Sequence, residues 1–303
     1  MQNMDQWMQN SMEKIPIPSE ALGLNPNHEE EARLPQYSLV IFDFHGTLTD
    51  HQLRAVKAYH NAGHDALGTH FPKEFYQKAL ARPSMNSGEA QTNRAFIQNE
   101  LSEFESGEFE SYWEAYKQYM DTVYIPIPGV KRVLQGLSER GVDMSVLTNG
   151  KNREIIQNEL VKWGFPDLAA RLYSSHVTGV KKPDSRTVEH IIEDYASRGT
   201  DVQKSKILLI GDYTDDIHTA HNVGIDSALM VRGNGWETMK IKEPQPSFVV
   251  TDPLEILRIV DGQVPKFAGT TYQIQPLLWK NEAWGPVQNS QSVEITQEES
   301  LLI

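Results

Sequence analysis

The spacing of hydrophobic residues changes character twice along this chain. Leu39-Val-Ile-Phe42 is an unbroken apolar run, the pattern of a strand buried on both faces. It stops at Asp43, and the glycine and hydroxyl residues that follow, up to Asp50, read as a loop. From about residue 52 to 120 the period is helical. Leu53, Val56, Tyr59, Ala62 and Ala66 recur at three- and four-residue steps, and so do Phe109, Tyr112, Trp113, Tyr116, Met120 and Val123. That aromatic stripe predicts the core of a small helical unit, with a loop at residues 81–88 and a glycine, Gly63, inside the first helix. Beyond Pro126, Pro128 and Gly129, strand and helix patterns alternate. Helices are predicted over 130–139, 154–163, 185–197, 217–223 and 253–260, and strands over 142–147, 172–175, 207–210, 227–231 and 247–250.

Such alternation specifies a doubly wound α/β core, a parallel sheet with helices on both faces. The helical stretch 51–125 interrupts it and is therefore an insertion. The expected organisation is an arm over 1–36, a core made of 37–50 and 126–261, the helical insertion 51–125, and a tail over 262–303. The arm is polar, with Pro16, Pro18, Pro26 and Pro35 and the acidic run Glu29-Glu30-Glu31. In the tail the periodicity fades. Trp279 and Trp284 suggest that part of it packs, and Asn289 to Glu299 is expected to be mobile.

Composition narrows the function classes. The 303 residues are 39% hydrophobic and 23% charged, ordinary for a globular protein. A net charge of −13 repels a phosphate backbone, so nucleic acid is not an expected partner. A small anion is still admissible where a local cation overrules the global charge. The chain has no cysteine, which removes disulfides, thiolate metal sites and cysteine nucleophiles and fits a reducing, cytoplasmic setting. No apolar run approaches the roughly 18 residues a membrane helix needs. The first residues lack the basic-then-apolar order of a signal peptide. The sequence leaves the oligomeric state open.

Polar residues fall at or just after the ends of candidate strands: Asp43, Thr148, Lys182, and Asp212 with Asp215 and Asp216. In an open parallel sheet all these ends lie at one edge, where ligands bind. Carboxylates gathered there repel, by about 4 kcal/mol for two charges 4 Å apart at an effective dielectric near 20. A divalent cation relieves that, and Mg²⁺ is content with a few carboxylates plus substrate oxygens. With the ammonium of Lys182 and the hydroxyl of Thr148, the set suits a phosphoryl group, whose transfer needs positioning and charge neutralisation. Asp43 would attack phosphorus and form an aspartyl-phosphate that water hydrolyses. His60 and His64 share a helix face at a metal-binding spacing, but no third ligand is near, so they read as a surface pair.

Four segments, in order over residues 37–261, resemble the motifs of the haloacid dehalogenase superfamily, in its phosphatase branch. They are Asp43-Phe-His45-Gly46-Thr47-Leu48, Leu147-Thr148-Asn149-Gly150, Lys182-Pro183-Asp184, and Gly211-Asp212-Tyr213-Thr214-Asp215-Asp216-Ile217 with Ala220 and Gly224 behind it. The resemblance implies a helical cap for the insertion and a small phosphorylated substrate. It implies Asp43 as nucleophile and Mg²⁺ ligand, the carbonyl of His45 as a second ligand, and Asp212 with Asp216 (or Asp215) completing the metal site. Thr47, Thr148, Asn149 and Lys182 would bind phosphate, with Lys181 the substitute should Lys182 be displaced.

The chain departs from the family pattern at residue 45. The family's phosphatases carry an Asp there that protonates the leaving oxygen and then activates water; this chain carries His45. A histidine, with a reference pKa of roughly 6.5, can do both jobs. Related carbon–halogen hydrolases carry Tyr and phosphonoacetaldehyde hydrolases carry Ala. His45 therefore marks a working acid/base, a different reaction, a weakened enzyme kept for binding, or an introduced substitution. A phosphonoacetaldehyde-type reaction would need a cap lysine, for which Lys57, Lys73 and Lys78 are available. Arg82 and Asn86, in the loop of the cap, are candidate specificity residues.

Overall fold

The structure is a computed structural model that describes residues 34–68, 75, 78, 89–100, 106–231, 244–267, 272–274 and 293–295. Strands β1 (Leu39–Phe42), β2 (Asp143–Thr148), β3 (Leu172–Ser174), β4 (Ile207–Gly211), β5 (Asp226–Met230) and β6 (Phe248–Val250) form one parallel sheet in the order β3-β2-β1-β4-β5-β6. The chain runs outward from β1 through β2 to β3, then returns to the other side of β1 with β4. That reversal opens a crevice at the carboxyl ends of β1 and β4, the usual ligand position of such sheets.

The sheet's two faces explain why its strands read as continuous apolar runs. Val40, Phe42, Val146, Leu208 and Ile210 pack on one side against α4 (Val130–Glu139), α5 (Arg153–Lys162) and α10 (Glu255–Val260). Leu39, Ile41, Leu147, Ile207 and Leu209 pack on the other against α8 (Arg186–Ser197) and α9 (Thr214–Val223). Alternate residues of one strand thus belong to two different cores, and both sets are mainly apolar. Helix α4 shows the matching logic: Val130, Val133, Leu134 and Leu137 are its buried stripe.

Between β1 and α4 lie α1 (His51–Leu67), α2 (Glu89–Glu100) and α3 (Ser106–Thr122). They enclose a separate core of Val56, Ala58, Tyr59, Ala62, Phe75, Ile97, Phe109, Tyr112, Trp113 and Tyr116. The predicted aromatic stripe is thus packing, with Tyr59 stacked on Tyr116 at 4.7 Å between ring centres. Met120 sits at its edge, and Val123 falls beyond the helix end. Gly63 does not break α1, which continues to a left-handed glycine cap at Gly68. The two chain segments that link this unit to the sheet are paired. Asp50 N–H donates to the Ile125 carbonyl at 2.8 Å and Ile127 N–H to that of Leu48 at 3.0 Å. Asp50 also caps α1, accepting from Leu53 N–H at 2.9 Å.

The structure departs from the sequence expectation in three respects. Helix α9 begins at Thr214, not Ile217, because its first turn carries Asp215 and Asp216 in place of apolar residues. Asp216 accepts from Tyr213 N–H at 3.2 Å, so this turn is fixed by capping. Two short helices, α6 (Pro166–Ala170) and α7 (Ser175–Thr178), are too brief to show a period. In the tail, β7 (Tyr272–Ile274) pairs antiparallel with β8 (Val293–Ile295), so part of the 289–299 stretch expected to be mobile is a strand. The 1–33 part of the arm, Trp279 and Trp284 lie outside the described residues.

Candidate active site

Strand register assembles the site. Phe42, the last residue of β1, pairs with Val146 and with Ile210, and β2 ends two residues further on at Thr148 and β4 one residue further on at Gly211, so three adjacent strands end almost level. Asp43 N–H donates to the Ile210 carbonyl at 2.8 Å, holding this first turn level with β4. Asp43, Thr148 and Asp212 therefore converge on one side of the crevice, and α9 adds Asp216 from its first turn.

Lys182 joins the acids. Its Nζ donates to Asp43 Oδ1 at 2.5 Å and to Asp216 Oδ1 at 2.6 Å, and all three side chains are buried. Burial opposes the charge on Lys182, but the carboxylates of Asp216 and Asp43 outweigh it and hold its pKa above the usual value. Asn149 fixes that lysine from behind. Its Oδ1 accepts from Lys182 N–H at 2.9 Å and its Nδ2 donates to the Lys182 carbonyl at 3.2 Å. Both ends of the Asn149 side-chain amide are thus engaged with Lys182's own backbone. Lys181 is exposed. Asp215 is only half-buried and lies outside the acid cluster.

One lysine does not balance three acids. Ligand oxygens of Asp43, Asp212 and Asp216 all lie within 4.8 Å of one another. Desolvation, then the charges of Asp43 and Asp216, push the Asp212 pKa well above its ordinary value. Desolvation pushes Asp216 up to about 6, with Lys182 opposing and Asp43 reinforcing the rise. Oxygen ligands this close, with residual negative charge, form a donor set suited to a hard divalent cation. Glycines make the cradle possible. At Gly46 (φ +86°) a Cβ would lie 2.0 Å from Asp212 Oδ2, and at Gly211 it would lie 2.1 Å from the Asp216 carboxyl carbon.

His45 stands across this cluster. Its Nδ1 lies 3.4 Å from Thr148 Oγ1, whose oxygen also accepts from Gly150 N–H at 3.0 Å. Its other neighbours are aromatic: His51 stacked at 5.5 Å and Tyr124 at 5.7 Å between ring centres. Desolvation, then the positive charges of Arg54 and Lys182, pull the His45 pKa down to about 3. The same kind of setting, with His45 and Arg54 as the neighbours, holds His51 at about 3. Both imidazoles are neutral at physiological pH in this state. Thr47 is buried, its Oγ1 3.5 Å from Asp212 Oδ1.

Of the other candidates, Arg82, Asn86 and Lys73 lie outside the described residues. Lys78 forms a surface ion pair with Glu100 at 2.8 Å. His64 bonds Asp65 at 2.9 Å on the exposed side of α1, away from the site. The sequence reading missed His51, Arg54 and Tyr124. A signal for Arg54 was present: it precedes Ala58 and Ala62 at four-residue steps, so it shares the buried face of α1.

The doubly wound sheet, the acid–lysine cluster at its carboxyl edge and the helical unit between the first two strands define a cap-bearing hydrolase class. The comparisons agree. The sequence profile of the haloacid dehalogenase-like hydrolases matches residues 40–230, and the chain belongs to that family. It is 27% identical to a phosphoglycolate phosphatase of Agrobacterium fabrum, over 72% of this chain and 90% of the relative. A Haemophilus somnus protein predicted to be a phosphoglycolate phosphatase shares the fold, with a TM-score of 0.53 at 20% identity over 74% of this chain and 98% of that one. The hydrolase YfnB of Bacillus subtilis, solved with magnesium, does so at a TM-score of 0.52 and 17% identity, over 74% and 99%.

Gly46 allows a direct check on the cradle. Gly46→Ala incurs the left-handed backbone penalty of about 1–2 kcal/mol and also collides with Asp212. Gly141 is likewise left-handed, at φ +67°, but a Cβ there meets nothing within 4 Å. In urea unfolding Gly46→Ala is expected to cost clearly more than Gly141→Ala. Equal losses would show that Gly46 is not pressed against the acid cluster.

Proposed function

We propose that this protein hydrolyses a small phosphate monoester through a phosphorylated Asp43. The observation that carries this reading is the cluster at Asp43: Lys182 Nζ sits 2.5 Å from its Oδ1, and His45, two residues on, has its Nδ1 3.4 Å from Thr148 Oγ1. Its likeness to phosphatases over most of the chain supports the substrate class.

In this reading Asp43 attacks phosphorus, and the bond from phosphorus to the ester oxygen breaks. Lys182 and Thr148 hold the phosphoryl oxygens, and Thr47 supports the loop that carries Asp43. Asn149 acts through Lys182, whose main chain it clamps. His45 gives a proton to the leaving oxygen so that a neutral alcohol departs. It then takes a proton from the water that attacks the phosphoaspartate, which releases inorganic phosphate and restores the Asp43 carboxylate.

A pKa near 3 makes His45 a poor proton donor before substrate arrives. A bound phosphate places negative charge beside it and raises that value, so the ester itself prepares the acid. Asp43, Asp212, Asp216 and the carbonyl of His45 would hold Mg²⁺, which when bound supplies charge neutralisation at the phosphoryl group. The depressed pKa also favours a second reading, a weakened enzyme retained for binding. Of the cap lysines, Lys78 offers little to a phosphonoacetaldehyde-type reaction, since it is exposed and paired with Glu100.

The cation assignment predicts a pH dependence. Protons compete for carboxylates whose pKa is raised, so affinity for Mg²⁺ falls as pH drops through about 6, where Asp216 regains its proton. Calorimetric titration should therefore show weaker binding at pH 5.5 than at pH 7.5. Equal affinities would remove Asp216 and Asp212 from the metal site.

The role of His45 is read from leaving groups. His45→Ala should slow hydrolysis of alkyl phosphates by about 10²–10⁴-fold and of an activated aryl phosphate much less, because the latter departs without a proton. Uniform losses would give His45 a structural role. A nearly inactive parent that His45→Asp brings strongly to life would establish the weakened-enzyme reading.

A further inference from the structure

We infer that Gly150 is a positioning residue for His45: its missing side chain makes the seat in which the imidazole rests against Thr148, so that the histidine and the glycine form one functional pair. This rests on the reading of His45 as the proton-transfer group and specifies how the site accommodates a histidine there.

Gly150 lies two residues beyond the end of β2. Its backbone is not left-handed, so its conformation alone does not call for glycine. The space does. A Cβ at residue 150 would lie 2.8 Å from His45 Cε1 and 3.1 Å from Thr148 Oγ1. The imidazole therefore occupies the volume that a side chain at residue 150 would take. An aspartate in place of His45 would end at oxygens one bond short of Cε1, so this contact is particular to histidine.

The loop side of the contact is fixed. Gly150 N–H donates to Thr148 Oγ1 at 3.0 Å, and Ser174 Oγ, at the end of β3, donates to the Gly150 carbonyl at 2.7 Å. Ser175 Oγ holds the preceding carbonyl, that of Asn149, at 3.1 Å. Thr148 and Ser174 are buried. A side chain at residue 150 would thus displace the imidazole and not the loop. Three other rings surround the imidazole: Phe44 meets it edge-on at 5.1 Å, His51 stacks at 5.5 Å and Tyr124 lies tilted at 5.7 Å between ring centres. In this seat Nδ1 lies 3.4 Å from Thr148 Oγ1, which leaves Nε2 as the nitrogen for the leaving oxygen.

A double-mutant cycle tests the pair. With His45 in place, Gly150→Ala is expected to lower kcat for an alkyl phosphate by about tenfold or more, the effect of a misplaced reacting group, with KM little changed. The loss should be smaller for an activated aryl phosphate, which departs without a proton, a difference that a merely distorted phosphate site would not produce. In the His45→Asp and His45→Ala backgrounds the same substitution should cost about twofold or less, because there is no Cε1 to displace. Stability reads the contact without turnover. Gly150→Ala should lower Tm by about 2–4 °C or more in the His45 protein, and by less than half as much in the His45→Ala background. The rates decide where the protein is active, and Tm decides where it is not; equal costs with and without His45 overturn the pair. If Gly150→Ala alone does not fold, its combination with His45→Ala decides: recovery of the fold supports the contact, and failure overturns it. Coupling in Tm in a protein that hydrolyses no ester contradicts the hydrolase reading alone, whereas turnover that Gly150→Ala slows equally with and without His45 contradicts the seat alone.

Discussion

The charge balance around Lys182 is the constraint on which the rest of the site depends. One ammonium lies 2.5 Å from Asp43 and 2.6 Å from Asp216, and Asp212 adds a third acid within the same few ångströms. Lysine alone leaves this group negative, and burial makes that costly. The strain shows as proton affinity: desolvation and mutual repulsion raise Asp212 and Asp216 while the acids keep Lys182 charged. Such a cluster persists only because the surrounding structure over-determines it. Asn149 clamps the lysine's backbone, Asp216 is tied to the Tyr213 N–H, and Gly46 and Gly211 leave room for carboxylates where any side chain would collide.

The two cores divide the labour. The sheet, packed on both faces, fixes the acids to strand ends whose register does not shift without moving every apolar residue to the wrong core. The helical unit has an aromatic core of its own and joins the sheet through two paired segments at residues 48–50 and 125–127. Its first turn brings His51 and Arg54 next to His45, while Tyr124 comes from the returning segment. The acid–lysine cluster is therefore set by the sheet, and the surroundings of His45 by the junction.

Much of this was legible in the sequence, for physical reasons. Strands buried on both faces, such as Ile207–Gly211, announce themselves as apolar runs, and the acids that follow them mark the carboxyl edge. The start of α9 was not legible, because its first turn is spent on Asp215 and Asp216 instead of core residues. Nor was the engagement of Asn149 with Lys182, a contact between residues 33 positions apart that no local pattern encodes. Arg54 was legible only by its place, since it shares the helix face of Ala58 and Ala62 but, as a buried cation, interrupts the apolar stripe that reveals the rest of α1.

Asp43 as the phosphoryl acceptor is the claim from which the other roles follow, and acid quenching during turnover tests it most directly. The protein is mixed with an alkyl phosphate and Mg²⁺, quenched within milliseconds to seconds, digested and weighed by mass spectrometry. A phosphoryl group on the peptide containing Asp43, labile to base and missing in Asp43→Asn, is the predicted result. Rapid phosphate release with Asp43 never modified, or undiminished release by Asp43→Asn, would contradict the account.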